Sequence, residues 1–236
     1  MSLDLVGALK APWQKDCGFA RIFLGGLCMM IPFLAFVPMG YLAEYLNKLI
    51  NGKEELGNIF QHGSKSFVIG AKMFLGFVLL NIPYFLIYGI LVFALSEKHP
   101  ILYLGLISLL SLVWCVIPVI MMLSFATDFK ILSAVDFDRA VKIIKENPVK
   151  IFVAVLLSIV ISIVYSLLLA IPYIASFAFA GIAVGMGLYL LAPVFVIAGL
   201  AILFTITFAM CVSIYNILGQ FARESQYIQA IKQELV

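Results

Sequence analysis

Charge is what this chain has least of. Only 11% of its 236 residues are Asp, Glu, Lys or Arg, against roughly 25% in an ordinary soluble domain. Residues 73–96, 99–127 and 151–222 contain none at all. An uncharged, predominantly apolar run of about 18 residues or more is a candidate transmembrane helix. Three such tracts in a chain that is 64% hydrophobic exclude a soluble globule, because the polar shell it would need is not encoded.

Other absences narrow the chemistry. His62 and His99 are the only histidines, each beside a loop and without a metal-ligand spacing such as HExxH. Cys17, Cys28, Cys115 and Cys211 form no CxxC pair and read as small apolar packing residues. No glycine-rich phosphate loop occurs, since the glycines fall in apolar spans where they serve packing. No Asp or Glu lies within a charge-free tract, so the intramembrane carboxylate of many proton-coupled carriers is missing. No catalytic residue, metal site or cofactor site can be assembled, and the expectation is a protein that is not an enzyme.

What charge there is has a placement. Of the 15 basic residues, 12 fall in residues 1–21, 47–72 and 130–150. These clusters are short and mixed with acids, unlike the dense basic, aromatic-studded face that nucleic acid requires. The N-terminus lacks the basic start and small-residue cleavage site of a signal peptide. Leu3, Val6 and Leu9 suit a short helix in the membrane interface, broken by Pro12 and anchored by Trp13.

Residues 22–50 would make a continuous helix of ~43 Å, longer than the ~30 Å hydrocarbon core yet too short for two spans. Pro32 and Pro38 lie near its middle. Either it is one kinked span or two half-helices form a re-entrant hairpin. The hairpin is favoured, because it puts all three basic clusters on one side, which the positive-inside rule makes cytoplasmic. Residues 73–96 and 101–125 then form spans around a Glu97-Lys98-His99-Pro100 turn. Phe137, Ala140, Val141 and Ile144 recur at helical spacing in an otherwise charged segment, predicting an amphipathic interfacial helix ended by Asn147-Pro148. Residues 151–170 and 194–218 read as spans. The stretch between Pro172 and Pro193 reads either as a further span or as a re-entrant segment.

A repeat runs through this order. Ala20-Arg21-Ile22-Phe23-Leu24-Gly25, leading to Ile31-Pro32-Phe33, returns 51 residues later as Ala71-Lys72-Met73-Phe74-Leu75-Gly76, leading to Ile82-Pro83-Tyr84. Val149-Lys150-Ile151-Phe152 and Ile171-Pro172-Tyr173 echo it. Each copy reads as a basic residue at the membrane surface, an ascending helix, an Ile-Pro break and a descending helix. The expected fold is all-α, a polytopic membrane bundle of about 5–6 membrane segments, built from repeated helical hairpins preceded by interfacial amphipathic helices. It forms a single domain with units at about 1–50, 53–129 and 130–222 and a tail at 223–236.

The Trp13-containing helix, Ile31-Pro32, Gly40-Tyr41-Leu42, Asn51-Gly52-Lys53-Glu54-Glu55-Leu56, the Gly63-to-Phe67 lead-in and the Asp136-to-Pro148 helix occur in that order. Together they resemble the small multi-pass membrane proteins classed as domain of unknown function 4013. One departure is that the family has a Pro and Trp after the acidic loop, where this chain reads Gly57-Asn58-Ile59-Phe60. The family has no established activity, so the resemblance implies an architecture and no functional residues.

The candidate substrate-binding residues are polar groups within or beside the spans. Asn81 and Tyr84 flank the second Ile-Pro, and Ser162 lies in a Ser158, Ser162, Ser166 stripe. For Asn81 the competing reading is a helix–helix hydrogen bond, and for the serines a packing seam. Glu44 and Asp128, at the ends of descending helices, are expected to pair with Lys or Arg of the lead-in helices. Two functions are open. One is a transport component for a neutral or amphiphilic, lipid-like solute. The other is a scaffold or regulatory subunit of a larger membrane complex. The expected surroundings are the lipid bilayer of the cytoplasmic membrane, with the N-terminus cytoplasmic, and either other membrane subunits or a homo-oligomer; nucleic acid is excluded.

Overall fold

A computed structural model describes residues 3–13, 18–53, 62–95 and 99–234. The acidic loop beyond Lys53 and the Glu97-Lys98 turn lie outside the described residues. Within them there are nine α-helices, two 3-10 segments and no strand: α1 (Leu5–Lys10), α2 (Gly18–Met30), α3 (Phe36–Ile50), α4 (Gly63–Leu95), α5 (Pro100–Asp128), α6 (Phe137–Glu146), α7 (Pro148–Gly185), α8 (Leu191–Glu224) and α9 (Gln226–Glu234). The 3-10 segments are Ala11–Trp13 and Ile131–Val135. Helices α4, α5, α7 and α8 are each long and apolar enough to cross a membrane. The chain is an all-α, membrane-embedded helical bundle.

Residues 22–50 fold as two short helices, α2 and α3, of 13 and 15 residues. Each is ~20–22 Å long, short of a ~30 Å hydrocarbon core. Their contacts along α8 fix the path. Gly25 packs on Phe208 and Gly26 on Thr205, and Asp4, upstream, accepts from and donates to Gln220. From Tyr41 on Phe208, α3 then proceeds to Tyr45 on Asn216 and Leu49 on Gly219. Helix α2 is therefore antiparallel to α8 and α3 parallel to it, so the segment turns back and both its ends lie toward the C-terminal end of α8.

Two long antiparallel hairpins flank this short one. In the first, α4 and α5 meet through Asn81 and Tyr84 on Trp114. In the second, α7 and α8 pair from Lys150–Glu224 through Tyr165–Ser213 and Ser176–Gly199 to Phe179–Phe195. Tyr215 links the two hairpins, its hydroxyl reaching the Met73 and Met122 sulfurs at 4.0 and 3.3 Å. Helix α3 crosses α4 where Gly40 faces the Ser66 carbonyl and Gly70 faces the Phe36 carbonyl, with no room for a Cβ on either glycine. Close approach through small residues is how membrane helices gain packing without a hydrophobic driving force.

The prolines part company with the sequence reading. Ile31-Pro32 ends α2, but Pro83, Pro118 and Pro172 lie inside continuous helices. Helix α7 runs without a break from Pro148 to Gly185, so the segment after Pro172 is neither a separate span nor re-entrant. The turn into α8 comes instead at Gly187, at φ 76°. Helix α6 has the expected limits but a different buried face, with Ala140 and Ile143 inside while Phe137 and Val141 are exposed. Its start is capped by Asp136, whose carboxylate accepts from the Arg139 amide at 3.0 Å.

Candidate functional site

The charged residues of the helix ends are neutralised first. Glu44 accepts from Ser66 Oγ at 2.7 Å and pairs with Lys65 at 3.2 Å. Asp128, whose side chain is only 3% exposed, accepts from Ser133 Oγ at 2.6 Å, from the Lys130 amide at 3.0 Å and from Arg139 Nη1 at 3.2 Å. Both acids thus meet the partners expected of them. Asp128 also secures a turn that a β-carbon makes costly, since Phe129 sits in the left-handed region at φ 54°. Glu146 accepts from Ser225 Oγ at 2.6 Å and from the amides of Gln226 and Tyr227. That carboxylate caps α9 from a distant part of the chain.

The turn after Phe129 carries Ile131–Val135 back against α4. Gly76 lets it seat there, for a Cβ at residue 76 would stand 2.6 Å from the Ala134 Cβ. Ala134, Met39 of α3, Met73, Phe77 and Leu80 of α4, and Pro118, Met121, Met122 and Phe125 of α5 line a half-open pocket of about 170 Å³, with Phe77 at its exposed edge. Every one of these nine side chains is apolar. Met73 and Met122 also receive the Tyr215 hydroxyl from the far side. A wall of unbranched, polarisable thioethers adapts its shape to what it holds.

The sequence-predicted residues fall in two places. The Asn81 amide donates to the Phe77 carbonyl at 2.7 Å and accepts from Trp114 Nε1 at 3.1 Å. Tyr84 packs on the same indole with ring centroids 5.0 Å apart. Asn81 and Tyr84 therefore come together around Trp114, joining α4 to α5 directly beyond Leu80. Ser162 lies in the other long hairpin, on α7, and donates to the Ser158 carbonyl at 2.9 Å. The methionines were missed because they are scattered at 39, 73, 121 and 122. The Met121-Met122 pair opposite Met73 in a predicted hairpin is the one signal that could have drawn them together. No group of three or more His, Cys, Asp or Glu able to hold a metal exists among the described residues.

Four apolar helices of spanning length mark a polytopic membrane protein, and between α4 and α5 it carries a pocket lined by apolar side chains. A family model described as "Protein of unknown function (DUF4013)" matches residues 23–174, from α2 to just beyond Pro172 in α7, and the chain belongs to that family. No curated protein and no solved structure matches it significantly.

Proposed function

We propose that this is a non-catalytic membrane protein that takes an apolar or amphiphilic, lipid-like solute from the bilayer, as a component of a transport system. The observation that carries the reading is the cavity of about 170 Å³ with nine apolar side chains around it. A closed apolar cavity of ~150 Å³ binds benzene-sized guests; this pocket has similar room and opens at one side, where a chain can enter. A polar solute entering it would lose its hydrogen bonds without replacement.

Helix lengths support a placement in the bilayer. From the Tyr215 contact to the hairpin tips, Met73–Leu95, Pro100–Met122 and Leu191–Tyr215 each measure ~33–38 Å, one hydrocarbon core with modest tilt. The opposite end carries Lys10, Lys48, Lys65, Arg139, Lys142, Lys145 and Arg223. That asymmetry favours a cytoplasmic base with the N-terminus on the same side, and the α2–α3 hairpin then enters from that side and returns.

The test is photo-crosslinking of the reconstituted full-length protein with a phospholipid bearing a diazirine near the end of its acyl chain. Adducts concentrated on α4, α5 and Ala134, and lost in a folded Ala134→Phe variant, are the expected result. Adducts spread evenly over every lipid-facing helix, and unchanged by that variant, would sink the reading. A second reading, a scaffold for a larger complex, draws on one feature. Val149, Phe152, Leu156 and Ile159 are exposed at 72%, 63%, 44% and 46% along α7 on the base side of Tyr165. Stoichiometric co-purification of another membrane subunit, lost in Phe152→Ser, would favour it.

A further inference from the structure

We infer that the solute is an anionic phospholipid, its phosphate held by Lys72 with Lys130 beside it and one acyl chain ending in the methionine-lined cavity; this rests on the cavity reading above. Lys72 is the one charged residue in α4 beyond Lys65. It is exposed, and the neighbours on its helix face, Val68, Leu75 and Leu79, are apolar and exposed at 51%, 50% and 45%. It makes no ion pair or hydrogen bond with another described residue, whereas Lys65, Arg139 and Lys150 all pair with carboxylates. A lysine on an apolar surface without a protein anion is complementary to an anion supplied by the membrane.

Its position ties it to the cavity. Met73, the next residue, lines the cavity, and Gly76, one turn on, is the seat of Ala134, which lines it too. The Ile131 carbonyl lies 3.7 Å from where a Gly76 Cβ would stand, and the residue before it in the chain is the exposed Lys130. Leu95, the end of α4, is ~35 Å from Lys72 along the helix, which sets this edge at one boundary of the hydrocarbon, where lipid phosphates lie. The cavity has room for the end of one chain and offers nothing to a headgroup, so the two halves of a phospholipid meet the two halves of the site.

The experiment uses full-length protein in nanodiscs of mixed phosphatidylglycerol and phosphatidylcholine, released into mild detergent and weighed by native mass spectrometry. The wild type should retain lipid enriched in phosphatidylglycerol. Lys72→Gln, on an exposed site where folding is not at risk, should lower that enrichment roughly fivefold without lowering the amount of lipid retained, and Lys72→Arg should restore it. Ala134→Phe should lower retention of both lipids. Unchanged enrichment in Lys72→Gln overturns the headgroup site and leaves the cavity reading standing. Normal retention in Ala134→Phe overturns the cavity reading and with it this inference. Loss of the enrichment on adding millimolar inorganic phosphate at constant ionic strength reassigns the lysine to a soluble anion and overturns the lipid assignment.

Discussion

Substitution of Arg139 by Gln tests whether the base of the bundle is organised around Asp128. The Asp128 side chain is 3% exposed and Arg139 25% exposed, so little water replaces the guanidinium when it is removed. Breaking a buried pair from one side costs about 3–5 kcal/mol, because a charge is left uncompensated. Here Ser133 and the Lys130 amide still donate to the carboxylate, and Arg139 is partly wet, so the lower figure of ~3 kcal/mol applies. Asp128→Asn keeps the size, removes the charge and should cost less, about 1–2 kcal/mol through weakened hydrogen bonds. In the double variant no buried charge is left unpaired, so the losses should fall short of additivity by 1 kcal/mol or more. The assay is unfolding of the purified protein in mixed micelles, followed by near-ultraviolet circular dichroism at fixed lipid and detergent. An Arg139→Gln loss under about 1 kcal/mol, or strictly additive losses, would show that the pair is a surface contact of the ordinary weak kind.

Other expectations are smaller in scope. Gly70→Ala should cost about 3 kcal/mol or prevent assembly, since its Cβ would collide with the Phe36 carbonyl, and Gly181→Ala, which opens on empty space, should be neutral in the same unfolding assay. Ser124 is 1% exposed and its hydroxyl has no partner among the described residues, so Ser124→Ala should be neutral or stabilising by up to about 1 kcal/mol; a clear loss would reveal a hidden partner. Glu146→Gln should release the cap of α9 at a cost of about 1 kcal/mol. That loss should appear as faster amide exchange confined to Gln226–Ile231, with the transmembrane hairpins unaffected.

The spans were legible because a bilayer imposes a crude requirement: lengths of uncharged apolar chain show in composition alone. The charge pairs were legible for a related reason. A carboxylate at the end of an apolar helix has few places to go, and Glu44 and Asp128 found the nearest cations on the following segments. The cavity was not legible. Its walls come from residues 39, 73–80, 118–125 and 134, and what brings them together is the return of the Ile131–Val135 turn over Gly76, which leaves no periodic trace. Asn81 reads from the sequence as a candidate substrate-binding residue with a helix–helix hydrogen bond as the competing reading; the bond it makes is to the Trp114 indole, a residue whose register opposite Asn81 depends on the length of a turn.

The prolines show how far local rules extend. A proline inside a helix removes one hydrogen bond and crowds the carbonyl four residues back, at a cost of ~3 kcal/mol; ending the helix instead would leave up to four carbonyls without partners in a medium that supplies none. With a single proline, as at Pro83, Pro118 and Pro172, continuing is the smaller loss, and the helices continue. Between Met30 and Met39 there are two, Pro32 and Pro38. A turn at 31–35 places Pro38 third in α3, where its amide needs no partner, so one break satisfies both. The sequence motif Ile-Pro was the same in all three copies; what differs is the second proline six residues on. Pro83→Ala and Pro172→Ala should therefore leave the unfolding transition in place or raise it by about 1 kcal/mol or more. If either lowers stability by ~2 kcal/mol, that proline sets a bend on which the hairpin's packing depends, and counting hydrogen bonds is the wrong basis for reading these helices.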